Sequence, residues 1–278
     1  MAYKDLLVHL NDSKHRARRL DLAARLAEQF DAHLIGLYTV PDLYVPGYLM
    51  AQMPADLMAV QQGAIDRARD AARAEFETRV RGGGIEAEWR ALTGEPSSVA
   101  AMHARYADLA VVGQGDPDEH LMAGEDEVPE RVVLESGRPT LVIPYAGKFP
   151  KLGERVLVAW NASAPATRAV NDALPLMSNA KKVTILAINP EGGDSGHGEV
   201  PGADIALHLA RHGIKAEASH VFADDIDVGD MILSRASDEG VDLIVMGAYG
   251  HARMRELVLG GATRDIFQHM TVPVLMSH

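Results

Sequence analysis

LLVHLNDS at residues 6–13 returns as VLVAWNAS at residues 156–163, a gapless offset of 150. In that register Leu7/Leu157, Val8/Val158, Asn11/Asn161, Ser13/Ser163, Arg18/Arg168, Ala23/Ala173 and Leu26/Leu176 are identical pairs. Further along, ADLAVVG (107–113) matches VDLIVMG (241–247) at an offset of 134. That register runs on to RPTLVIP (138–144) and VPVLMSH (272–278). One folding unit is therefore written twice, over residues 1–146 and 153–278. The halves meet near YAGKFPKLG (145–153), a join short enough to imply intramolecular domain pairing.

Outward from the opening motif, each half alternates short apolar runs with helical periodicity. DLLVHL (5–10), HLIGLYTV (33–40), IEAEWRAL (85–92), DLAVVG (108–113) and TLVIP (140–144) read as strands. Helices are expected over 14–30, 56–81, 97–106 and 127–136, and residues 41–55 read as a loop. The second half repeats the order, with strands at 155–160, 182–188, 215–221, 242–247 and 273–276. Its helices fall near 164–177, 202–212, 228–239 and 261–269. Strands alternating with helices predict an α/β fold, two tandem domains each with a five-stranded parallel sheet. In such sheets a ligand sits beyond the carboxyl ends of the strands, where strand order reverses.

Composition narrows the classes. Two domains suit 278 residues, and a hydrophobic fraction of 47% fills two cores. With no cysteine there is no disulfide framework, thiolate metal site or cysteine nucleophile. Net charge is −12, and both halves are acidic, which argues against nucleic acid as a partner. No apolar stretch reaches the roughly 20 residues of a membrane span. A cytoplasmic location is expected.

The strongest local signal is Gly247-Ala-Tyr-Gly250, then nine residues, then Gly260-Gly261-Ala262-Thr263. Glycines let backbone N–H groups approach phosphate oxygens, and a helix N-terminus adds unpaired donors. Arg253, Arg255 and Arg264 make the segment mildly positive. His251 stands beside Gly250 and reads first as a solvent-exposed loop histidine, with contact to a phosphate as the alternative.

This spacing closely resembles the Gly-x2-Gly-x9-Gly-[Ser/Thr] motif of the universal stress protein family. The VLVAWNAS start, the DLIVMG strand and the VPVLM ending strengthen the resemblance, which extends over both halves. It implies two flavodoxin-like domains, of the adenine nucleotide alpha hydrolase-like kind, and an ATP-type ligand in one branch. Carried onto this chain, Ala159, Asn161, Ile188, Met246, Gly247, Gly250, His251, Gly260, Gly261, Ala262 and Thr263 would surround the nucleotide. A homodimer and a magnesium ion would accompany it. Two positions depart from the family pattern. Asparagine replaces the usual aspartate after the first strand in both copies, and Gly261 stands where a Ser or Thr is usual.

The first copy has lost the motif. Gly113 matches Gly247, but Asp116 falls on Gly250, Asp126 on Gly260 and Glu127 on Gly261. Residues 116–130 hold seven acids and no Lys or Arg. That charge would repel a triphosphate, so only the second domain is expected to bind one. The acidic segment reads as a solvated loop without the spacing of a calcium loop. The 12 histidines form no ligand motif, so no metal site is expected. Ser13 and Ser163 read as helix caps rather than nucleophiles. The resemblance implies a stress-response nucleotide-binding protein, and because no residue set would activate water, at most slow ATP hydrolysis is expected. The alternative is a scaffold, or a binder of a lipid or metabolite through the Tyr- and Met-rich 41–60 stretch.

Overall fold

A computed structural model describes residues 2–40, 55–119, 123–190, 200–223, 225–248 and 261–278. The Tyr- and Met-rich stretch over 41–54 lies outside them. Two compact units emerge, Tyr3–Ser136 and Gly137–His278.

The first unit runs β1 (Asp5–Leu10), α1 (Arg16–Phe30), β2 (His33–Val40), α2 (Ala55–Gly83), β3 (Ala87–Thr93), α3 (Pro96–Ala104), β4 (Leu109–Gly113) and α4 (Val128–Glu135). Its four strands are parallel in the order β3-β2-β1-β4. The central strand β1 buries Leu6, Leu7, Val8 and Leu10 completely. Each such side chain contributes roughly 1.5–3 kcal/mol. β3, which ends this order, is only part-buried. Gly36 on β2 leaves room for the Phe76 ring of α2, since a Cβ there would strike it. Phe76 then packs on Trp89, whose ring stacks on Tyr38.

The second unit opens with β5 (Thr140–Ile143) and continues β6 (Arg155–Ala159), α5 (Ala164–Asp172), α6 (Leu174–Met177) and β7 (Lys182–Ile188). Then come α7 (Ala203–Arg211), β8 (Ala216–Val221), α8 (Val228–Asp238), β9 (Leu243–Gly247), α9 (Gly261–His269) and β10 (Val274–Ser277). The order is β5-β10-β9-β6-β7-β8. All neighbours are parallel except β5, which runs antiparallel beside β10 with Leu141 opposite Leu275. β5 is thus the first half's last strand in sequence, yet it packs in the second unit. All four of its residues are buried.

The α/β class and the strand-helix alternation expected from the sequence hold. The single helix expected over 164–177 is two, because Pro175 has no N–H to continue the ladder. One device is repeated in both units. Asp108 accepts the Lys4 and Asp5 N–H groups at 2.7 and 3.1 Å, tying the start of β1 to the start of β4. Asp242 does the same for Gly153, Glu154 and Arg155 at 2.8, 3.1 and 3.2 Å. Among the described residues no helix is long and apolar enough to cross a membrane.

Candidate functional site

In the second unit β6 leads to β7 on one side and pairs with β9 on the other, so strand order reverses between β6 and β9. Ala159 lies opposite both Leu186 and Met246, which brings the ends of β6, β7 and β9 level. Just beyond, Asn161 is exposed. Its Oδ1 accepts the Ser163 N–H at 3.2 Å and the Ser163 hydroxyl at 2.7 Å. Ala162 takes a positive φ of 55° to make this turn. Ser163 caps α5 as expected, accepting the Ala166 N–H at 3.3 Å. Among the described residues the Asn161 amide NH2 has no partner, so it can donate to a ligand.

Ile188 ends β7 half-buried, and Met246 lies buried one step before Gly247. A Cβ on Gly247 would strike the backbone of Pro165 and Ala166. Close packing against α5 therefore demands this glycine, whatever ligand is present. Gly250, His251 and Gly260 lie outside the described residues. Gly261 is the exposed first residue of α9, and a Cβ on it would meet open space. Ala262 is half-buried, while Thr263 is buried in the same turn. Ala159, Asn161, Ile188 and Gly247 thus share one strand-end rim.

Three features of this rim were not anticipated. Asn189, at a φ of 46°, exchanges two hydrogen bonds with Ala223, at 2.7 and 3.1 Å, and ties the end of β7 to the end of β8. His278 Nδ1 lies 3.2 Å from the Ala248 carbonyl, and its own carbonyl accepts from Arg168 at 2.6 Å. Asn189 follows its strand directly, as Asn161 does, and that position was the available signal. Nothing local in the sequence marks His278.

In the first unit the corresponding reversal lies between β1 and β4, and its polar interior is filled. Asn11 Nδ2 donates to Glu125 Oε2 at 2.8 Å, and Thr39 Oγ1 donates to Oε1 at 3.0 Å. His9 Nε2 sits 2.9 Å from Thr39 Oγ1 and 3.7 Å from the carboxylate. The Arg19 guanidinium donates to Asn11 Oδ1 at 2.8 Å, so one amide bridges a buried cation and a buried acid. All five residues are buried, Glu125 at 6% exposure.

Burial sets their protonation. It lowers His9 to about 3, helped by Arg19, so the ring is neutral. It lowers Arg19 to about 10, opposed by Glu125. It raises Glu125 to about 7, against the hydrogen bonds from Asn11 and Thr39 and the charge of Arg19.

The outer part of the acidic segment is pinned too. Asp116 accepts from Lys14 Nζ at 2.7 Å, His15 Nε2 at 2.9 Å and the Asp118 N–H at 2.9 Å. The hydrogen bonds from Lys14 and His15 hold its carboxyl below the usual aspartate range. Glu119 accepts the Ser13 hydroxyl at 2.8 Å and the Lys14 N–H at 2.7 Å. The segment is therefore only partly a solvated loop over its described residues. Asp116, Glu119 and Glu125 find donors and fold back, while Asp118, Asp126 and Glu127 are exposed. Ser13 serves this contact and accepts the His15 N–H at 3.1 Å, while the cap position of α1 is His15. His15, Asp116 and Glu119 bring three metal-type ligand atoms within 4.8 Å of one another. A divalent cation there would have to displace Lys14.

A sequence profile of the universal stress protein family matches residues 2–144 and 153–278. A universal stress protein of Synechocystis sp. is 39% identical over 46 residues, 16% of each chain. A universal stress protein of Methanocaldococcus jannaschii is 40% identical over 45 residues, 16% of this chain and 28% of that protein. The matched stretches thus span well under a third of these relatives. Among solved structures, a universal stress protein from Archaeoglobus fulgidus superposes with a TM-score of 0.75 at 17% identity, covering 98% of this chain and 95% of that one. A functionally unknown protein from Pseudomonas aeruginosa gives 0.62 at 12% identity, covering 99% and 92%.

Proposed function

We propose that this chain, which belongs to the universal stress protein family, is a stress-response protein that holds one adenine nucleotide in its second domain. It acts by binding and signalling in the cytoplasm rather than by catalysis, and homodimers fit that role. One observation carries the reading. The two units have the same strand-end geometry, but in the first it is filled by Glu125, whereas in the second Asn161 is exposed with its amide unpartnered among the described residues. Gly247 ends the neighbouring strand β9, and Gly261 is the exposed first residue of α9, whose N–H groups and dipole suit a phosphate. Asn161 brings no charge, so a magnesium ion would rely on the phosphates for its neutralisation.

Calorimetric titration of nucleotide-stripped protein with ATP, ADP and AMP, with and without magnesium, tests this. One nucleotide per chain is expected. Gly250→Asp combined with Gly260→Asp, which copies the first domain's residues, should abolish the heat. Two nucleotides per chain would overturn the single-site assignment. No heat with any of the three would leave the scaffold or other-ligand alternative.

A gain of function is expected from Gly261→Ser. The added Cβ meets open space, so the fold should tolerate it. A hydroxyl bonded to a charged phosphate is worth about 1.5–3 kcal/mol, so ATP should bind at least about tenfold tighter. Unchanged affinity would mean that the phosphates do not reach the start of α9.

A further inference from the structure

The two units differ systematically at the positions around the strand ends. His9 in the first matches Ala159 in the second, and Arg19 matches Ala169. Thr39 matches Ile188 once the strand registers are superposed. Three polar groups in one unit thus face small or apolar ones in the other. Each of the three belongs to the network that receives Glu125. The first unit is built around that carboxyl.

We propose that the first domain's strand-end site is a self-closed one, in which Glu125 stands where a ligand's polar group would sit, and that ionisation of this buried carboxyl loosens residues 114–119 and 123–127. The inner tie is made to neutral donors, Asn11 and Thr39, with no direct ion pair to Arg19 among the described contacts. A charge on the carboxyl is therefore poorly compensated in a buried place. The carboxyl moves from the ordinary glutamate value of 4.5 to about 7. A raised folded-state value means that stability is fully present below 4.5 and is lost as pH rises through 7. The segment should therefore loosen on the alkaline side, within the physiological range.

Other groups face this carboxyl. His9 comes from β1, Asp12 from the turn after it, Arg19 from α1, and Tyr38 from β2, with Arg16 of α1 beside Asp12. Tyr38 donates to Asp12 at 2.6 Å, and burial followed by that bond raises its phenol, so it does not ionise here. His9 stays neutral. Arg16 is held by Glu75 at 2.9 Å. The outer tie of Asp116 to His15 and Lys14 is the competing source of pH dependence.

Glu125→Gln separates the two. Glutamine keeps the shape and cannot ionise. Thr39 can accept its NH2 group if the neutral His9 ring changes tautomer. The readout is amide hydrogen exchange at residues 114–119 and 123–127 of the full chain, corrected for intrinsic rates, between pH 6 and pH 8. The wild type should open about tenfold more at pH 8, the value that a shift from 4.5 to about 7 requires. E125Q should show a flat profile. Glu125→Ala, which removes the tie, should exchange fast at both pH values. A flat wild-type profile would overturn the proposal. So would the same slope in wild type and E125Q, which would assign the effect to His15 and Asp116. If E125Q does not fold, the wild-type slope against that of His15→Gln decides: a slope kept in H15Q supports Glu125, a slope lost refutes it.

Discussion

Phe76→Ala should lower the stability of the first domain by about 3–5 kcal/mol, the range for deleting a fully buried aromatic side chain. Phe76 is 2% exposed and lies against Gly36, in a space that only a glycine on β2 leaves open. Its ring packs on Trp89 at 5.5 Å, and Trp89 stacks on Tyr38 at 5.9 Å. Removing it leaves a void that α2 cannot close without sliding along its length. Urea unfolding followed by Trp89 fluorescence measures the loss, with Trp160 as the second reporter. Gly36→Ala should fail in the opposite sense, by overfilling the same space. A loss under 1 kcal/mol for F76A would mean that α2 is not the main cover of β2 and β3.

Gly247→Ala should be nearly as costly, about 3 kcal/mol, at the upper end for overpacking. The added methyl meets the backbone at Pro165 and Ala166, which cannot turn aside as a side chain can. Either β9 or the start of α5 must shift, and the Asn161 turn is attached to α5. Nucleotide binding should be lost along with stability. Gly113→Ala provides the matched control. There the new methyl meets the guanidinium of Arg19, a side chain rather than backbone though buried and bonded to Asn11, so a smaller cost of about 1–2 kcal/mol is expected. Equal costs at the two glycines, read from denaturation midpoints, would refute the backbone explanation.

This pair of glycines also shows what a motif can hide. Gly247 reads as part of a phosphate-binding series, yet its packing against Pro165 and Ala166 requires a glycine with no ligand present. The first copy keeps Gly113 although the other positions of the motif are acids, and there the close neighbour is the Arg19 guanidinium rather than helix backbone. Gly261 is the opposite case. Nothing among the described residues crowds it, so no contact there forces the choice of glycine over serine.

Much of the frame could be read from the chain alone. Strands buried on both faces are continuous apolar runs, as in LLVHL and LIVMG, and the offsets of 150 and 134 expose the duplication without any alignment of relatives. The aspartates of ADL and VDL recur at the same offset because both tie strand starts together. Asn161 at the point of reversal followed from strand order, which α/β connectivity restricts strongly.

Tertiary structure alone decided the rest. The sequence by itself determined two α/β copies and the absence from the first of the glycines that the second carries. It could not say that β5 runs antiparallel beside β10, because a four-residue apolar run carries no signal of partner or direction. Nor could it say that the acidic 116–130 segment folds inward. Seven acids in a row of fifteen look solvated, since repulsion and hydration act on them locally. The donors that reverse this, Asn11, Ser13, Lys14, His15 and Thr39, lie 86 to 114 residues away in the chain. Burying Glu125 is tolerable only because folding brings Asn11 and Thr39 to it, a property of the tertiary structure that no local pattern encodes.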